Sequence, residues 1–321
     1  MKNCRMLFAI AASMLLLAYC QVDAQRNVVV AQDGSGNYTT VQAALDAVPE
    51  NNRQPINIYI KNGIYKEKLH LDSSKSFVHL KGENRFKTIL TYDDHTGKIT
   101  SFGKTINTFT SYTFLIEGNH FSAQNITFRN DAGISAGQAV ALDVKGDEEV
   151  FINCRITGNQ DVLLAHMPDS REYYRNCYIE GTTDFIFGAA TAFFDKCEIY
   201  CKKNSHITAA STPKNHAFGF VFYHCKITGD ASVVSADLGR PWRDDAAVVY
   251  LHCYIGKCIA PQGWSNWHGT QRDKTARFAE YKNNGPGADT ASRVAWSHQL
   301  TDKQAEDYTM QHIFRGWNPL H

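Results

Sequence analysis

Phe151-Ile152-Asn153-Cys154-Arg155-Ile156 comes back 23 residues later as Tyr174-Arg175-Asn176-Cys177-Tyr178-Ile179. It returns again as Phe194-Asp195-Lys196-Cys197-Glu198-Ile199, as Phe222-Tyr223-His224-Cys225-Lys226-Ile227 and as Tyr250-Leu251-His252-Cys253-Tyr254-Ile255. A weaker copy, Gln124–Phe128, precedes them. Each full unit reads aromatic, two variable residues of which the last is polar, then Cys-x-Ile. The cysteines stand 23, 20, 28 and 28 residues apart. That period, in sequence rich in β-formers and aromatics, predicts one coil of a parallel β-helix per unit. A single coil cannot bury its inner face, so stacked neighbours share one core. In Cys-x-Ile the two flanking side chains share a face, which we assign inward as a column of small apolar thiols.

Outside the repeat the elements are short. Val28–Ala31 reads as a strand, and Thr40 caps a helix over Val41–Val48 that Pro49 ends. Strands follow at Ile56–Ile60, Ile64–Leu69, Phe77–Leu80 and Thr88–Tyr92. Gly63-Ile64-Tyr65-Lys66-Glu67 is a turn and strand in which Glu67 is structural. A final helix from the Thr301 cap to about Phe314 packs Ala305, Tyr308 and Ile313 back onto the barrel. The fold class expected is all-β: a single-stranded right-handed parallel β-helix with a short N-terminal capping helix and a C-terminal helix. The two ends cover the solenoid, so a monomer is the default.

Composition narrows the function. The chain has 321 residues, 43% apolar and 20% charged, with a net charge of +1. These values describe a globular domain and leave no electrostatic footprint for nucleic acid. Lys2 and Arg5 precede the apolar run Met6–Ala18, and Val22-Asp23-Ala24 follows as a small-residue cleavage site. Residues 1–24 therefore read as an export signal cleaved before Gln25, with residues 25–321 as one domain. Lipid anchoring at Cys20 is disfavoured by the bulky Tyr19. Of nine cysteines, Cys4 and Cys20 leave with the signal. No four-ligand zinc pattern surrounds the rest. Stacked strands lie ~4.8 Å apart, within the Cα separation a disulfide allows. Cys177 and Cys197, on the shortest coil, are the candidate pair.

The chemistry lies in two stretches, Gly158-Asn159-Gln160-Asp161 and Gly181-Thr182-Thr183-Asp184-Phe185-Ile186-Phe187-Gly188. Asp161 follows Cys154 by seven residues, and Asp184 follows Cys177 by seven. If the cysteines stack, the aspartates occupy one position on adjacent coils. Two carboxylates so placed cannot both ionise freely unless a cation holds one down. Arg240, in Leu238-Gly239-Arg240-Pro241-Trp242, offers a planar fork for that purpose. Gln160, and Gln138 in Gly137–Leu142, offer neutral N–H donors suited to an oxyanion. Trp242, Phe187 and Trp267 are candidates to line a groove for sugar rings. Taken singly, each residue has a plainer use: turn aspartates bond backbone, glutamines form amide ladders, and aromatics pack. Convergence favours chemistry. A close acid pair also suits a retaining glycosidase, but amide donors fit acyl transfer better.

These segments resemble the signatures of pectin methylesterases: Gly181–Gly188, Leu238–Trp242, Gln160-Asp161, Gln138–Leu142, Gly63–Glu67 and the opening around Asp33–Val48. The resemblance runs from about residue 27 to the C-terminus, with the motifs in the family's order. It implies a right-handed parallel β-helix that hydrolyses the methyl esters of pectin (homogalacturonan), releasing methanol with no metal or cofactor. It further implies Asp184 as nucleophile, Asp161 as general acid and then base, and Gln160 and Gln138 as oxyanion donors. Arg240 would orient Asp184, and Trp242 would contact sugar. The Cys177–Cys197 pair resembles a bridge in bacterial members, and the short leader without an inhibitor-like pro-region also looks bacterial. Val162 stands where the family commonly has Thr, Leu164 where an aromatic is usual, and Asp143 where Arg or an aromatic is usual. Val162 and Asp143 are expected beside the groove, where they would bear on substrate preference. The alternatives are a β-helical pectin depolymerase, which would shorten the polymer, and a non-catalytic polysaccharide-binding solenoid, which would release no methanol.

Overall fold

The computed structural model describes residues 26–320. The proposed export signal, with Cys4 and Cys20, lies outside the described residues. The chain winds through three sheets of eleven, eight and seven strands, visiting each in turn, and every strand pairing between them is parallel. This is the right-handed parallel β-helix expected from the repeat.

The repeat unit straddles a corner. Its aromatic is the next-to-last residue of a strand of the eleven-stranded sheet, and its isoleucine lies in a strand of the eight-stranded sheet. Between them, the polar residue before each cysteine turns the chain. Asn153, Asn176, Lys196, His224 and His252 have φ of 52°, 52°, 54°, 51° and 54°. Left-handed backbone is uncommon for residues with a Cβ, and here it recurs once per coil. Inside the corner, the repeat becomes three ladders. The aromatic rings of Phe151, Tyr174, Phe194, Phe222 and Tyr250 stack face to face at 4.4–4.8 Å. Ile156, Ile179, Ile199, Ile227 and Ile255 pair in register, and the five cysteines are buried beside them.

The candidate Cys177–Cys197 bridge is corrected by the structure, in which both are free thiols. Each sulfur turns to the coil before it: Cys177 Sγ donates to Phe151 O (3.4 Å) and Cys197 Sγ to Tyr174 O (3.3 Å). The column thus behaves as small side chains with weak donors.

The ends differ in detail from expectation. The first helix is shorter, Val41–Asp46, with Thr40 accepting from Ala43 N–H. Glu67 accepts from the N–H groups of Val41 and Gln42, each at 2.9 Å, which satisfies two donors the helix itself cannot pair. The single C-terminal helix expected is two, Asp302–Ala305 and Met310–Ile313. Thr309 caps the second, its side chain accepting from His312 N–H, and so restarts the helix where periodicity alone reads through. Ile313 and Phe314 then pack on Tyr173 and Phe193, on the outer face of the eleven-stranded sheet.

Candidate active site

The seven-stranded sheet carries the site. Its register brings Leu164 beside Phe187, Phe187 beside Ala209, and Ala209 beside Arg240. Val140, Leu164, Phe187 and Ala209 form a separate apolar cluster outside the barrel core, packed by Tyr112, Trp242 and Trp267. The groove expected from sequence would run over this cluster.

The two aspartates stand at the head of this sheet, one coil apart. Asp161 N–H donates to Thr183 O (3.1 Å), and Asp184 N–H donates to His206 O (2.7 Å). Both have left-handed backbone, with φ of 59° and 49°. That conformation is costly for a residue with a Cβ and is held by surrounding structure. The residues that follow them, Val162 and Phe185, enter the core. Glycine is required nearby. A methyl on Gly181 would overlap Phe185 and Asn159 O, and one on Gly188, at φ 124°, would overlap Ala165 O.

Arg240 clamps one carboxylate of the pair. Its Nε donates to Asp184 Oδ1 at 3.0 Å and its Nη2 to Asp184 Oδ2 at 2.6 Å, a two-pronged contact that fixes the carboxylate plane. The guanidinium lies 4.0 Å from the centre of the Trp267 ring. Trp267 therefore holds the arginine as well as edging the groove. Among the described residues, Asp161 has no such cation of its own. Burial pushes its carboxyl up to about 8, the Asp184 charge adds to the rise, and a hydrogen bond from Gln160 with the more distant Arg240 charge opposes it. At neutral pH this arrangement holds a proton on Asp161 beside the arginine-bound Asp184, the split that acid and nucleophile roles need. The backbones of Gln138 and Gln160 bridge in parallel on adjacent coils, which puts both residues at the same level as the two aspartates.

The aromatics divide. Trp242 meets Phe187 edge-on at 5.9 Å. Phe187 is only 3% exposed, so it is floor rather than platform. Val162 does not lie beside the groove as expected, because its side chain is in the barrel core. Asp143 is on the groove side but buried, its Oδ1 2.9 Å from His166 Nδ1. Burial raises the Asp143 carboxyl above its ordinary value, against the pull of His166. His166 was not singled out from sequence. Its only signal was its position five residues after Asp161.

A cluster of His70, Asp72 and Glu117 brings possible metal ligands within 4.8 Å of one another. Glu117 is already bonded to His70 Nε2 and Lys145 Nζ, both at 2.8 Å. A concavity of about 520 Å³ behind the C-terminal helices, lined by Tyr223, His252, Tyr281 and Tyr308, contains neither Asp161 nor Asp184.

The model of the Pectinesterase family matches residues 27–317. This chain belongs to the pectinesterase family. It is 39% identical over 294 residues to Pectinesterase 31 of Arabidopsis thaliana, covering 90% of this chain and 92% of the relative. It is 40% identical to probable pectinesterase/pectinesterase inhibitor 23 of the same plant, but spans only 53% of that longer protein. These relatives are plant proteins, so they lend no support to the bacterial character suggested by the leader. Among solved structures, a pectin methylesterase from carrot superposes with a TM-score of 0.84 at 35% identity, covering 91% of this chain and 93% of the other. A pectin methylesterase in complex with a hexasaccharide superposes with a TM-score of 0.79 at 28% identity, covering 92% and 99%. The chain is a carboxylic ester hydrolase of the pectin-demethylating type.

Proposed function

We propose that Asp184 and Asp161 divide the hydrolysis of pectin methyl esters between them. The observation that carries this reading is the asymmetry of the stacked pair: Asp184 is gripped by Arg240, while Asp161 is buried without a cation of its own. Asp184 attacks the ester carbonyl carbon. Negative charge gathers on the carbonyl oxygen, where the side-chain N–H groups of Gln138 and Gln160 receive it. Asp161 gives its proton to the departing methoxy oxygen, releasing methanol and leaving the uronyl group joined to Asp184 as an anhydride. Asp161, now a carboxylate, takes a proton from water as that water attacks the anhydride carbonyl. Asp184 leaves as carboxylate, the galacturonate carboxylic acid is freed, and Asp161 is protonated again.

The polymer would lie along the groove over Leu164 and Phe187, with Trp242 beside a sugar ring. The solved relative with a bound hexasaccharide supports an extended sugar chain as the ligand. Export as a monomer, with residues 1–24 removed, is part of the same reading, since the substrate is a large extracellular polymer. The test follows methanol and chain length together on highly methylated pectin. Wild type is expected to release methanol without shortening the polymer, and Asp184→Asn to lose at least about 10⁴-fold in turnover with an unchanged circular dichroism spectrum. Shortened chains, or normal methanol release by the variant, would overturn the assignment.

A further inference from the structure

A second acid pair is stacked inside the barrel. Glu149 and Glu172 face each other in register on adjacent strands of the eleven-stranded sheet, and both are fully buried. The neighbouring positions along this inward column are Ala192 and Phe220 on one side and Phe121 on the other, all apolar. Neither glutamate has an ion-pair partner among the described residues. A buried carboxylate pair with no counter-charge is among the most costly arrangements a core can hold.

Hydrogen bonds do not relieve it. Glu172 Oε2 accepts from Tyr174 Oη at 2.6 Å, and Glu172 Oε1 lies 3.2 Å from Ser170 Oγ. The Ser170 hydroxyl has one hydrogen, however, and its nearer acceptor is Gly146 O. Both carboxylate oxygens of Glu149 are buried and lack a well-formed hydrogen bond, although the Phe121 N–H lies near enough to favour their charge. A methyl on Gly146 would overlap both Glu149 Oε1 and Gly118 O, so a carboxylate oxygen and a carbonyl oxygen crowd the same point. Acceptors converge at this corner of the barrel with too few hydrogens to go round.

We propose that this corner is a structural calcium site. Glu149 supplies two oxygens and Glu172 Oε1 a third, with Ser170 Oγ and the carbonyls of Gly118 and Gly146 completing an all-oxygen set. Ionised together, the two glutamates call for a divalent ion. The donors include no nitrogen or sulfur, which disfavours zinc, and a dry corner does not suit magnesium, which keeps waters of its own. The ion would tie together three successive coils at the turn that leads into the eleven-stranded sheet.

The test strips the mature protein with EDTA and dialyses it against calcium chloride. Bound calcium is then counted by atomic emission and melting temperature is measured. Wild type is expected to retain one calcium per chain beyond any released by gel filtration, and to melt higher with calcium than with EDTA. Glu149→Gln and Glu172→Gln are expected to weaken calcium binding by at least about tenfold. Glu117→Gln, in the exposed His70 cluster, should leave it unchanged. Wild type that retains no calcium and melts alike in both buffers would overturn the site, Glu149 then being a buried neutral acid. So would retention that Glu117→Gln abolishes and Glu149→Gln does not. The wild-type count stands even if a glutamate variant fails to fold.

Discussion

Two pairs of acids, Asp161 with Asp184 and Glu149 with Glu172, are stacked by the same winding, yet they live under opposite rules. The first pair stands at the head of the seven-stranded sheet, outside the barrel core, and Arg240 reaches one member with two hydrogen bonds. The second pair is walled in by apolar side chains, and among the described residues no cation reaches it; the Tyr174 hydroxyl donates to Glu172, and the Phe121 N–H lies near Glu149. The coil supplies proximity in both places. What differs is what can reach the carboxylates: an arginine at the first pair, and hydroxyls, backbone groups and whatever ion enters at the second. Proximity alone makes a destabilised pair, and a neighbouring cation on one side makes it asymmetric and reactive.

The sharpest way to break the comparison is to remove that cation. Arg240→Gln is expected to lower kcat/KM by roughly 10²–10³-fold, since Asp184 loses both its charge partner and its fixed orientation. The same variant should move the alkaline limb of the pH profile upward, because the Arg240 charge helps hold the Asp161 proton affinity down. If Arg240→Gln keeps wild-type kcat/KM, the asymmetry has another source.

The second test concerns the proton itself. Asp161 must be protonated to act as the acid, so kcat/KM should fall as pH rises through about 8. A flat profile from pH 6 to 10 would contradict that role.

Stability offers a third, smaller signal. The folded-state value of Asp161 lies above that of an unfolded aspartate, so the native state holds this proton more tightly. Its contribution therefore weakens the fold as pH rises from the ordinary carboxylate range to about 8, and levels off above that. Asp161→Asn removes the effect. The variant should be inactive yet more stable than wild type at pH 9, by on the order of 1–3 kcal/mol, with the gap closing towards pH 4. Chemical denaturation across that range measures it. A variant equally destabilised at every pH would mean that Asp161 is a packing residue.

The smallest expected effect is at Trp267. Its ring lies against the Arg240 guanidinium, and Trp267→Ala is expected to lower kcat about tenfold. A change confined to KM would make it a sugar platform instead.

Much of this site was legible before any coordinates. The seven-residue offset from Cys154 to Asp161 and from Cys177 to Asp184 places the acids in register, because a repeat converts sequence distance into spatial adjacency. The interior pair was not legible. Glu149 belongs to Asp147-Glu148-Glu149, which reads as a solvated charge run, and only the strand phase turns its third member inward. Val162 shows the same limit: its neighbour Asp161 has left-handed backbone, and that twist sends the valine into the core rather than to the groove. The Asp143–His166 contact joins residues on separate coils that belong to no repeated motif.

By itself, the sequence determined the coil, the three interior ladders and the level at which the reactive acids stand, since those follow from period and from which side chains avoid water. Only the tertiary structure decided that Trp267 backs the arginine, and that two glutamates meet inside the barrel. Those outcomes depend on side-chain direction and on contacts between distant turns. A linear pattern carries neither, because backbone twist at a single residue can reverse the face on which its neighbours lie.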